Sequence, residues 1–382
     1  MKSNKILVVG LAAATTSLVA VTTVTASAEP IRPYAATGSD TTQDVMNGLT
    51  NDGAPLGSIG NYDAFEGDGT VHLIRTKTLG KWFLRPSGSG NGVKALSATW
   101  DPANHGWAGT QLVNEEVDLA RSSSGPATTG TDLTYIPFGR DAVSVAFNPV
   151  GTLTSVSLTT AQIKEIYSGV DDVADSVVQI VGSTVTVNGE TIHPKIPQTG
   201  SGTRTFFLGA IGVTTLASYI ADPGGVPQGG LPENDGFQIA TDGDMIPFSA
   251  AQWIAQNNLA PGTTNTTAGL ALASVNGQAP TTSTAPNMAP GALFGTAFGG
   301  NYTVVPGTGA GVFNRDTYTV IPALFRSPSA TTKQSSLVGA FTGTAGTQVG
   351  GAPAKAIIRQ YGFGTLSYIG TAANYRGAAF RH

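Results

Sequence analysis

The fold of this chain is decided by one stretch, Ile196-Pro197-Gln198-Thr199-Gly200-Ser201-Gly202-Thr203-Arg204-Thr205-Phe206-Phe207, in which a polar glycine loop leads directly into an apolar segment. Gly200 and Gly202 allow the backbone to curl because they carry no Cβ, and Ser201 or Thr203 can cap the helix that follows. The free N–H groups of a first helical turn and the helix dipole together favour a bound oxyanion. The stretch therefore predicts an anion cradle at the start of a helix, with an ordinary capped helix after a turn as the alternative.

Three further loops carry similar chemistry, which strengthens the anion-binding interpretation. All are rich in Ser, Thr and Gly, and they comprise residues 35–42, 85–92 and 117–126. We predict that each loop ends a strand and opens a helix, as loops do at the carboxyl edge of an α/β sheet, where ligands bind. The first leads into a helix capped by Asp40 or Thr41.

Two apolar segments predict strands that cross between lobes. Residues 135–147 combine an aromatic run with a strand-like stretch, and residues 313–325 contain an alternating apolar run that suits a return crossing. Between them, the segment from Thr159 or Thr160 to Gly169 has the start and stop signals of a helix. Because the chain is long enough for two separate cores, we expect an α/β protein of two lobes.

The first 28 residues predict an export signal. A short basic region and an apolar segment precede the A-x-A site Ala26-Ser27-Ala28, so we expect cleavage after Ala28 and a secreted mature protein. The chain has no cysteine, which excludes disulfides and the acylated cysteine of a lipoprotein, so we expect no membrane anchor. The net charge of −4 does not indicate the basic surface that a nucleic-acid-binding protein needs.

The sequence lacks the motifs of common catalytic and metal sites. Its four histidines are scattered without a ligand spacing, and it contains neither a G-x-S-x-G elbow nor a Walker lysine. We therefore expect a binding protein with no catalytic residues, metal ions or other cofactors.

The order of these features resembles the type II solute-binding proteins of phosphate ABC transporters, the PstS-like family. The resemblance covers roughly residues 35–370, and its most specific parts are Gly-Ser-Gly-Thr at 200–203 and Ile166-Tyr167-Ser168-Gly169. It implies a two-lobed type II periplasmic-binding-protein fold, in which each lobe is a mixed sheet flanked by helices and the lobes are joined by crossing hinge strands. Lobe I is then expected to comprise residues 29–140 with 313–382, and lobe II residues 141–312.

The resemblance also implies a set of ligand-binding residues. Carried over position by position, they are Asp40, Thr41, Ser89, Ser122, Ser123, Ser201, Gly202 and Thr203. This chain departs from the family at several of the aligned positions. Pro197 replaces the binding arginine and Thr199 its aspartate partner, Ser123 replaces the aspartate that accepts the proton of hydrogen phosphate, and Asp40 replaces a threonine.

These departures indicate that the charges have moved rather than vanished. We expect Arg121 to supply the cation and Asp40 to accept the proton of hydrogen phosphate, which rejects sulfate because sulfate carries no proton. Alternatively, Asp40 is only a helix N-cap and Arg121 pairs with Asp118 or a surface glutamate. The other candidate cations are Arg85, Arg140 and Arg204.

We therefore expect a monomeric extracellular protein that captures inorganic phosphate between two closing lobes and delivers it to an ABC permease. One alternative is the same fold with another small anion or a phosphoester as its ligand. The other is a secreted structural or adhesion protein whose cleft is vestigial.

Overall fold

The computed structural model describes residue 29 and residues 31–65, 72–113, 115–173, 175–225 and 231–382. The predicted export signal at residues 1–28 lies outside the described residues. The α-helices are α1 (Gln43–Thr50), α2 (Ser89–Trp100), α3 (Thr160–Ser168), α4 (Gly202–Ile211), α5 (Ala250–Asn257), α6 (Thr332–Thr342) and α7 (Ala352–Gln360). Short 3-10 helices cover Gly236–Ile239, Ala292–Phe294, Ala323–Arg326 and Ala372–Asn374.

The strands are numbered in chain order, and each of the strands from β14 to β19 is only two residues long. They are β1 (Tyr34–Gly38), β2 (Ile59–Asn61), β3 (Leu73–Ile74), β4 (Phe83–Leu84), β5 (Gly106–Trp107), β6 (Thr110–Gln111), β7 (Leu119–Ser122), β8 (Leu133–Phe147), β9 (Ser157–Leu158), β10 (Val178–Val181), β11 (Thr184–Val187), β12 (Glu190–Pro194), β13 (Asp244–Ser249), β14 (Ala271–Leu272), β15 (Ser274–Val275), β16 (Thr281–Thr282), β17 (Ala289–Pro290), β18 (Ala297–Phe298), β19 (Asn301–Tyr302), β20 (Asn314–Pro322), β21 (Thr365–Leu366) and β22 (Arg376–Ala378).

The largest sheet has the strand order β10-β11-β12-β13-β8-β20-β7-β1-β2, and β14 and β22 also pair with β8. Strand β1 is parallel to both β2 and β7, and β12 is parallel to β13. Strands β8 and β20 are antiparallel to the strands beside them. This mixed sheet with its accompanying helices confirms the predicted α/β fold class.

The two longest strands, β8 and β20, lie side by side in the middle of the sheet. All fifteen residues of β8 are buried. The first part of β8 pairs with β20 on one side. Residues 143–147 of β8 pair with β13, which separates β8 from β12 in the strand order. Strand β20 falls inside the segment 313–325, so the strand predicted there is confirmed. The division into lobes at residues 140/141 and 313 stays a prediction.

The helix caps follow the sequence signals in α3 but not in α1. Helix α3 has a complete capping box between Thr159 and Gln162 and ends at Gly169 in the left-handed conformation (φ 73°), which confirms the prediction. Helix α1 begins after Thr42, so the expectation of Asp40 or Thr41 as its N-cap is wrong. Both of those side chains are held instead by partners about 190 residues further along the chain.

The four polar loops do not all open a helix. Those before α1, α2 and α4 do, but the loop after β7 continues into an irregular turn rather than the predicted helix. Ser122 closes this turn locally by donating its hydroxyl to the carbonyl of Ser124, and Pro126 disfavours helical geometry in the residue before it.

Buried apolar side chains form a large cluster and two smaller ones. The large cluster joins the inner faces of α1, α3, α4 and α7, and a second cluster packs α2 against the sheet beside β1, β7 and β20. None of the helices in the described ranges is both long and apolar enough to pass through a bilayer.

Candidate anion-binding site

The site is built on the N-terminus of α4. Ser201 is the N-cap, and its Oγ accepts a hydrogen bond of 2.9 Å from the backbone N–H of Arg204, as the sequence predicts. This cap leaves the N–H of Gly202 free to point out of the helix. The loop before the helix therefore presents a backbone donor next to the hydroxyl of Thr203.

These donors already hold an anion, the carboxylate of Glu233. The N–H of Gly202 donates to Oε1 of Glu233 at 3.1 Å, and the hydroxyls of Thr203 and Thr41 donate to Oε2 at 2.8 and 2.6 Å. Glu233 is only 1% exposed. We call the Gly202 N–H and the hydroxyls of Thr41 and Thr203 the anion cradle. It joins the loop before α1 to the loop before α4, so the structure brings these predicted residues together.

A buried arginine that the sequence analysis missed lies beside the cradle. Arg315, on β20, donates from Nη2 to the Oγ1 of Thr203 at 2.9 Å and forms an ion pair of 2.8 Å with Asp141. Its guanidinium also lies over the ring of Phe206 at 5.3 Å. The Nη1 of Arg315 is buried and has no hydrogen-bond partner within the described parts of the chain. Arg315 therefore brings an unused donor to the edge of the cradle.

Asp40 lies next to the cradle and holds the segment that carries Glu233. Its carboxylate accepts hydrogen bonds from the backbone N–H of Glu233 at 2.8 Å and from the side-chain amide of Asn234 at 2.6 Å. Desolvation, and then the charge of Glu233, raise the pKa of Asp40 well above its usual value. Asp40 also lines a cavity of about 370 Å³, together with Pro232 and Asn234.

Arg121 is fully buried, but its hydrogen bonds lead away from the cradle. Its guanidinium donates to the carbonyls of Ser39 at 3.0 Å and Tyr62 at 2.8 Å, and also to the side chain of Asn61. Burial lowers the pKa of Arg121 to about 10. Among the described residues, no hydrogen bond joins Arg121 to Gly202 or Thr203. The structure thus places Arg315, and not the predicted Arg121, at the cradle, because oxygens of Ser39, Asn61 and Tyr62 occupy the Arg121 donors.

The other candidate cations are also paired elsewhere. Arg204 forms a bidentate pair with Asp222 at 2.7 and 2.8 Å, Arg85 pairs with Glu29, and Arg140 pairs with Asp316 at 3.0 Å. The Arg204 hydrogen bonds lower the pKa of Asp222 to about 2.

The predicted serines of the second and third loops meet on the other side of Gly202. The hydroxyls of Ser89 and Ser123 are 3.1 Å apart, and a Cβ at position 202 would lie 2.2 and 2.4 Å from them. Only glycine fits there, so the contact fixes how close the loops come. Ser89 and Ser122 also line a separate cavity of about 140 Å³.

The Gly88–Gly92 turn and the Gly200 loop are joined by a backbone hydrogen bond. The N–H of Gly90 donates to the carbonyl of Gly200 at 2.9 Å. Gly88 has a positive φ of 90°, and a Cβ there would lie 2.8 Å from the same carbonyl. The two loops are therefore in direct contact beside the cradle. In the described ranges, no cluster of three or more His, Cys, Asp or Glu side chains is arranged to hold a metal ion.

Sequence reasoning missed two of the residues that define this arrangement. Glu233 lies in Pro232-Glu233-Asn234-Asp235-Gly236, which has only the signature of a turn. Arg315 could have been found from a repeated dipeptide, because Arg-Asp occurs at 140–141 and again at 315–316, within the two segments predicted to be long strands. Charged residues inside such strands need a buried partner, which points to pairing between the two dipeptides.

Comparison with known proteins agrees with this architecture. The chain matches the family model described as a PBP superfamily domain over residues 77–293, which is more than half of its length. The protein therefore belongs to the PBP (periplasmic binding protein) superfamily and has the two-lobed fold of that class. No curated protein matches the chain.

Several solved structures match the chain at low sequence identity. One is an ABC-type phosphate transport receptor from Vibrio cholerae, with 14% identity, coverage of 86% of this chain and 98% of that chain, and a TM-score of 0.47. A phosphate-binding protein from Stenotrophomonas maltophilia has 16% identity, coverage of 89% and 92%, and a TM-score of 0.44. A high-affinity periplasmic phosphate-binding protein, PfluDING, has 15% identity, coverage of 87% and 90%, and a TM-score of 0.48.

Proposed function

We propose that this protein is an extracellular solute-binding protein that captures inorganic phosphate at the anion cradle for uptake by an ABC permease. The observation that carries the proposal is that the cradle binds a carboxylate through one backbone N–H and two hydroxyls. Phosphate oxygens accept the same donors as carboxylate oxygens, and a nearby guanidinium strengthens such bonds. In this proposal Arg315 supplies the positive charge that the family obtains from the arginine replaced here by Pro197.

The remaining predicted residues belong to the same proposal. Ser201 supports the cradle as the N-cap of α4. The hydroxyls of Ser89 and Ser123 pack against Gly202, at the position that a Cβ would occupy. Membership of the PBP superfamily supports export and delivery to a permease, and the proposed protein acts as a monomer without a membrane anchor. Binding and release require no catalytic step and no cofactor.

We assign Asp40 the task of telling hydrogen phosphate from sulfate. An ionised carboxylate can accept the proton of hydrogen phosphate, and Asp40 lies one residue from the cradle hydroxyl of Thr41. Sulfate offers no proton and would meet Asp40 as a like charge. Asp40→Asn should therefore reduce the preference for phosphate over sulfate, and an unchanged preference would remove Asp40 from this role.

Isothermal titration of the wild-type protein with phosphate and with sulfate tests the function itself. Thr203→Val removes the cradle hydroxyl and keeps the shape of the side chain, so it should weaken phosphate binding at least tenfold, because a charge-assisted hydrogen bond is lost (about 1.5–3 kcal/mol). Thr205→Val is the matched control, since its hydroxyl bonds within α4 to the carbonyl of Ser201. Equal effects of the two variants would contradict the proposal.

The occupied cradle favours a second candidate function. Because Glu233 fills the cradle, the same fold can serve as a secreted structural or adhesion protein that binds no solute. This candidate predicts no heat with phosphate, with another small anion or with a phosphoester, even after denaturation and refolding to remove carried ligand.

A further inference from the structure

We propose that Glu233 is an internal ligand of the anion cradle and that an external oxyanion binds by displacing its carboxylate. The proposal rests on the proposed function for the identity of the external ion. It does not depend on that function for the claim that the cradle holds an exchangeable carboxylate.

The surroundings of Glu233 identify it as a ligand of the cradle. Both carboxylate oxygens are hydrogen-bonded to cradle donors, at 3.1 Å for Oε1 and at 2.6 and 2.8 Å for Oε2. Within the described ranges, no Lys, Arg or His forms an ion pair with Glu233, although the residue is 99% buried. A buried carboxylate without a paired cation depends on hydrogen bonds for its stability. The hydrogen bonds of the cradle therefore stabilise the Glu233 carboxylate in place of a paired cation.

Glu233 and an external anion cannot use the cradle together. A hydroxyl has one proton to donate, and those of Thr41 and Thr203 are both donated to Glu233. A phosphate beside Glu233 would also place like charges together in a buried space, near Asp40 and with Arg315 already paired to Asp141. The cradle therefore binds only one anion at a time, and the carboxylate of Glu233 must leave before an external oxyanion can bind.

The structure provides space for the displaced side chain. Pro232 and Asn234, the neighbours of Glu233, both line the cavity of about 370 Å³. Asp40 holds the backbone N–H of Glu233 and the amide of Asn234, so the main chain stays anchored while the Glu233 side chain rotates toward the cavity. Glu233 does not line this cavity in the present arrangement, and Asp44 and Asp63 are among the residues that do.

An incoming oxyanion also finds a donor that Glu233 does not use. The Nη1 of Arg315 is buried and unpartnered in the described structure, while Nη2 of the same guanidinium contacts Thr203 in the cradle. A tetrahedral ion has more oxygens than a carboxylate and can accept from Nη1 in addition to the cradle donors. This extra bond gives phosphate a reason to replace Glu233, whereas acetate gains no such advantage.

Competition by Glu233 should lower the apparent affinity for phosphate by a measurable factor. The apparent affinity is reduced by the fraction of molecules in which Glu233 has left the cradle, so removal of its charge should tighten phosphate binding by roughly 10- to 100-fold. Glu233→Gln removes the charge at similar size, and Glu233→Ala empties the cradle. Asp235→Asn is the matched control, because Asp235 lines the same cavity but its oxygens bond to Phe237 and Gln238.

The experiment combines phosphate titration with rescue by a small carboxylate. We expect Glu233→Gln and Glu233→Ala to bind phosphate more tightly than the wild type, and Asp235→Asn to bind it as the wild type does. We also expect acetate or formate to raise the Tm of Glu233→Ala, where the empty cradle can accept it, and to leave the Tm of the wild type unchanged.

The outcomes separate this proposal from the proposed function. If the wild type binds phosphate and neither Glu233 variant binds it more tightly, Glu233 is no competitor and the inference is overturned while the function stands. If acetate rescues Glu233→Ala but no form of the protein binds phosphate, the internal ligand is supported and phosphate is the wrong ion. If neither acetate nor phosphate stabilises Glu233→Ala more than the wild type, the inference is overturned as well.

Discussion

Two arginines occupy mirrored positions on the crossing strands and have different tasks. In the β8–β20 pairing, Arg140 is opposite Asp316 and Arg315 is opposite Asp141, so the same dipeptide occurs on both strands. Each of the three nitrogens of the Arg140 guanidinium is hydrogen-bonded, to Asp316, to the carbonyls of Phe294 and Val304 or to the hydroxyl of Tyr368. Arg315 bonds to Asp141 and Thr203 and keeps one nitrogen unpartnered among the described residues.

The comparison shows how a structural ion pair differs from an ion pair at a ligand site. The two differ in how many hydrogen-bond donors of the arginine already have a partner. A buried pair whose hydrogen bonds are all made has nothing to offer a ligand. A buried guanidinium with an unmet donor carries a desolvation penalty that an anion would relieve. Burial alone does not distinguish the two residues, because Arg140 and Arg315 are both 3% exposed.

The largest effect is expected for Arg140→Met. The substitution leaves Asp316 buried with only the hydroxyl of Tyr368 as a hydrogen-bond partner in the described structure. Breaking a buried pair in this way should lower the free energy of unfolding by about 3–5 kcal/mol, measured by urea denaturation. Phosphate affinity of the folded fraction should not change. The double variant Arg140→Met with Asp316→Asn should recover part of the loss, and failure to recover would show that packing rather than charge dominates.

Arg315→Met should affect stability less and binding more. Its partner Asp141 retains hydrogen bonds from the hydroxyl of Ser249 and the backbone N–H of Ala251, so we expect a loss of about 2–3 kcal/mol in unfolding free energy. Phosphate affinity should fall about 100-fold, because the cradle loses its adjacent cation. Calorimetry on both arginine variants gives the comparison directly. Equal affinities in the two variants would refute the distinction between a structural and a site arginine.

The smallest effect is expected for Arg204→Ala, which removes a cation near the same helix. Its partner Asp222 is half exposed, so the loss in unfolding free energy should be about 0.2–1 kcal/mol, and phosphate affinity should stay unchanged. Abolished phosphate binding in this variant would make Arg204, and not Arg315, the cation of the site.

The pH dependence of the same pair provides a further check. The pKa of Asp222 is lowered to about 2. The Arg204–Asp222 pair therefore makes its full contribution to the free energy of unfolding at pH values above the ordinary pKa of an aspartate. The contribution is lost as the pH falls from about 4 to about 2, since protons then bind first to the unfolded state. Acid titration of unfolding free energy should therefore be flatter in this window for Arg204→Ala than for the wild type. Parallel curves would show that the pair adds nothing to stability.

The predictable part of the site is the part encoded in short local signals. The glycine and serine residues at 200–202 predicted the capped helix and its free N–H. Thr41 lies in another of the predicted hydroxyl-rich loops. The choice among arginines was not predictable in the same way. Arg121 lies near the end of β7 and precedes serines, as a site cation would, yet its donors are taken by the carbonyls of Ser39 in the loop before α1 and of Tyr62, just after β2.

The sequence by itself determined the α/β class, the cap and start of α4, the signals of α3 and the strand at β20. These features depend on backbone propensity, glycine freedom and apolar periodicity, which act over a few residues. Only the tertiary structure decided that Glu233 fills the cradle and that Arg315 lies beside it. Glu233 is 192 residues from Thr41, and Arg315 is 112 residues from Thr203. Their meeting depends on strand register and loop packing, which no local sequence signal specifies.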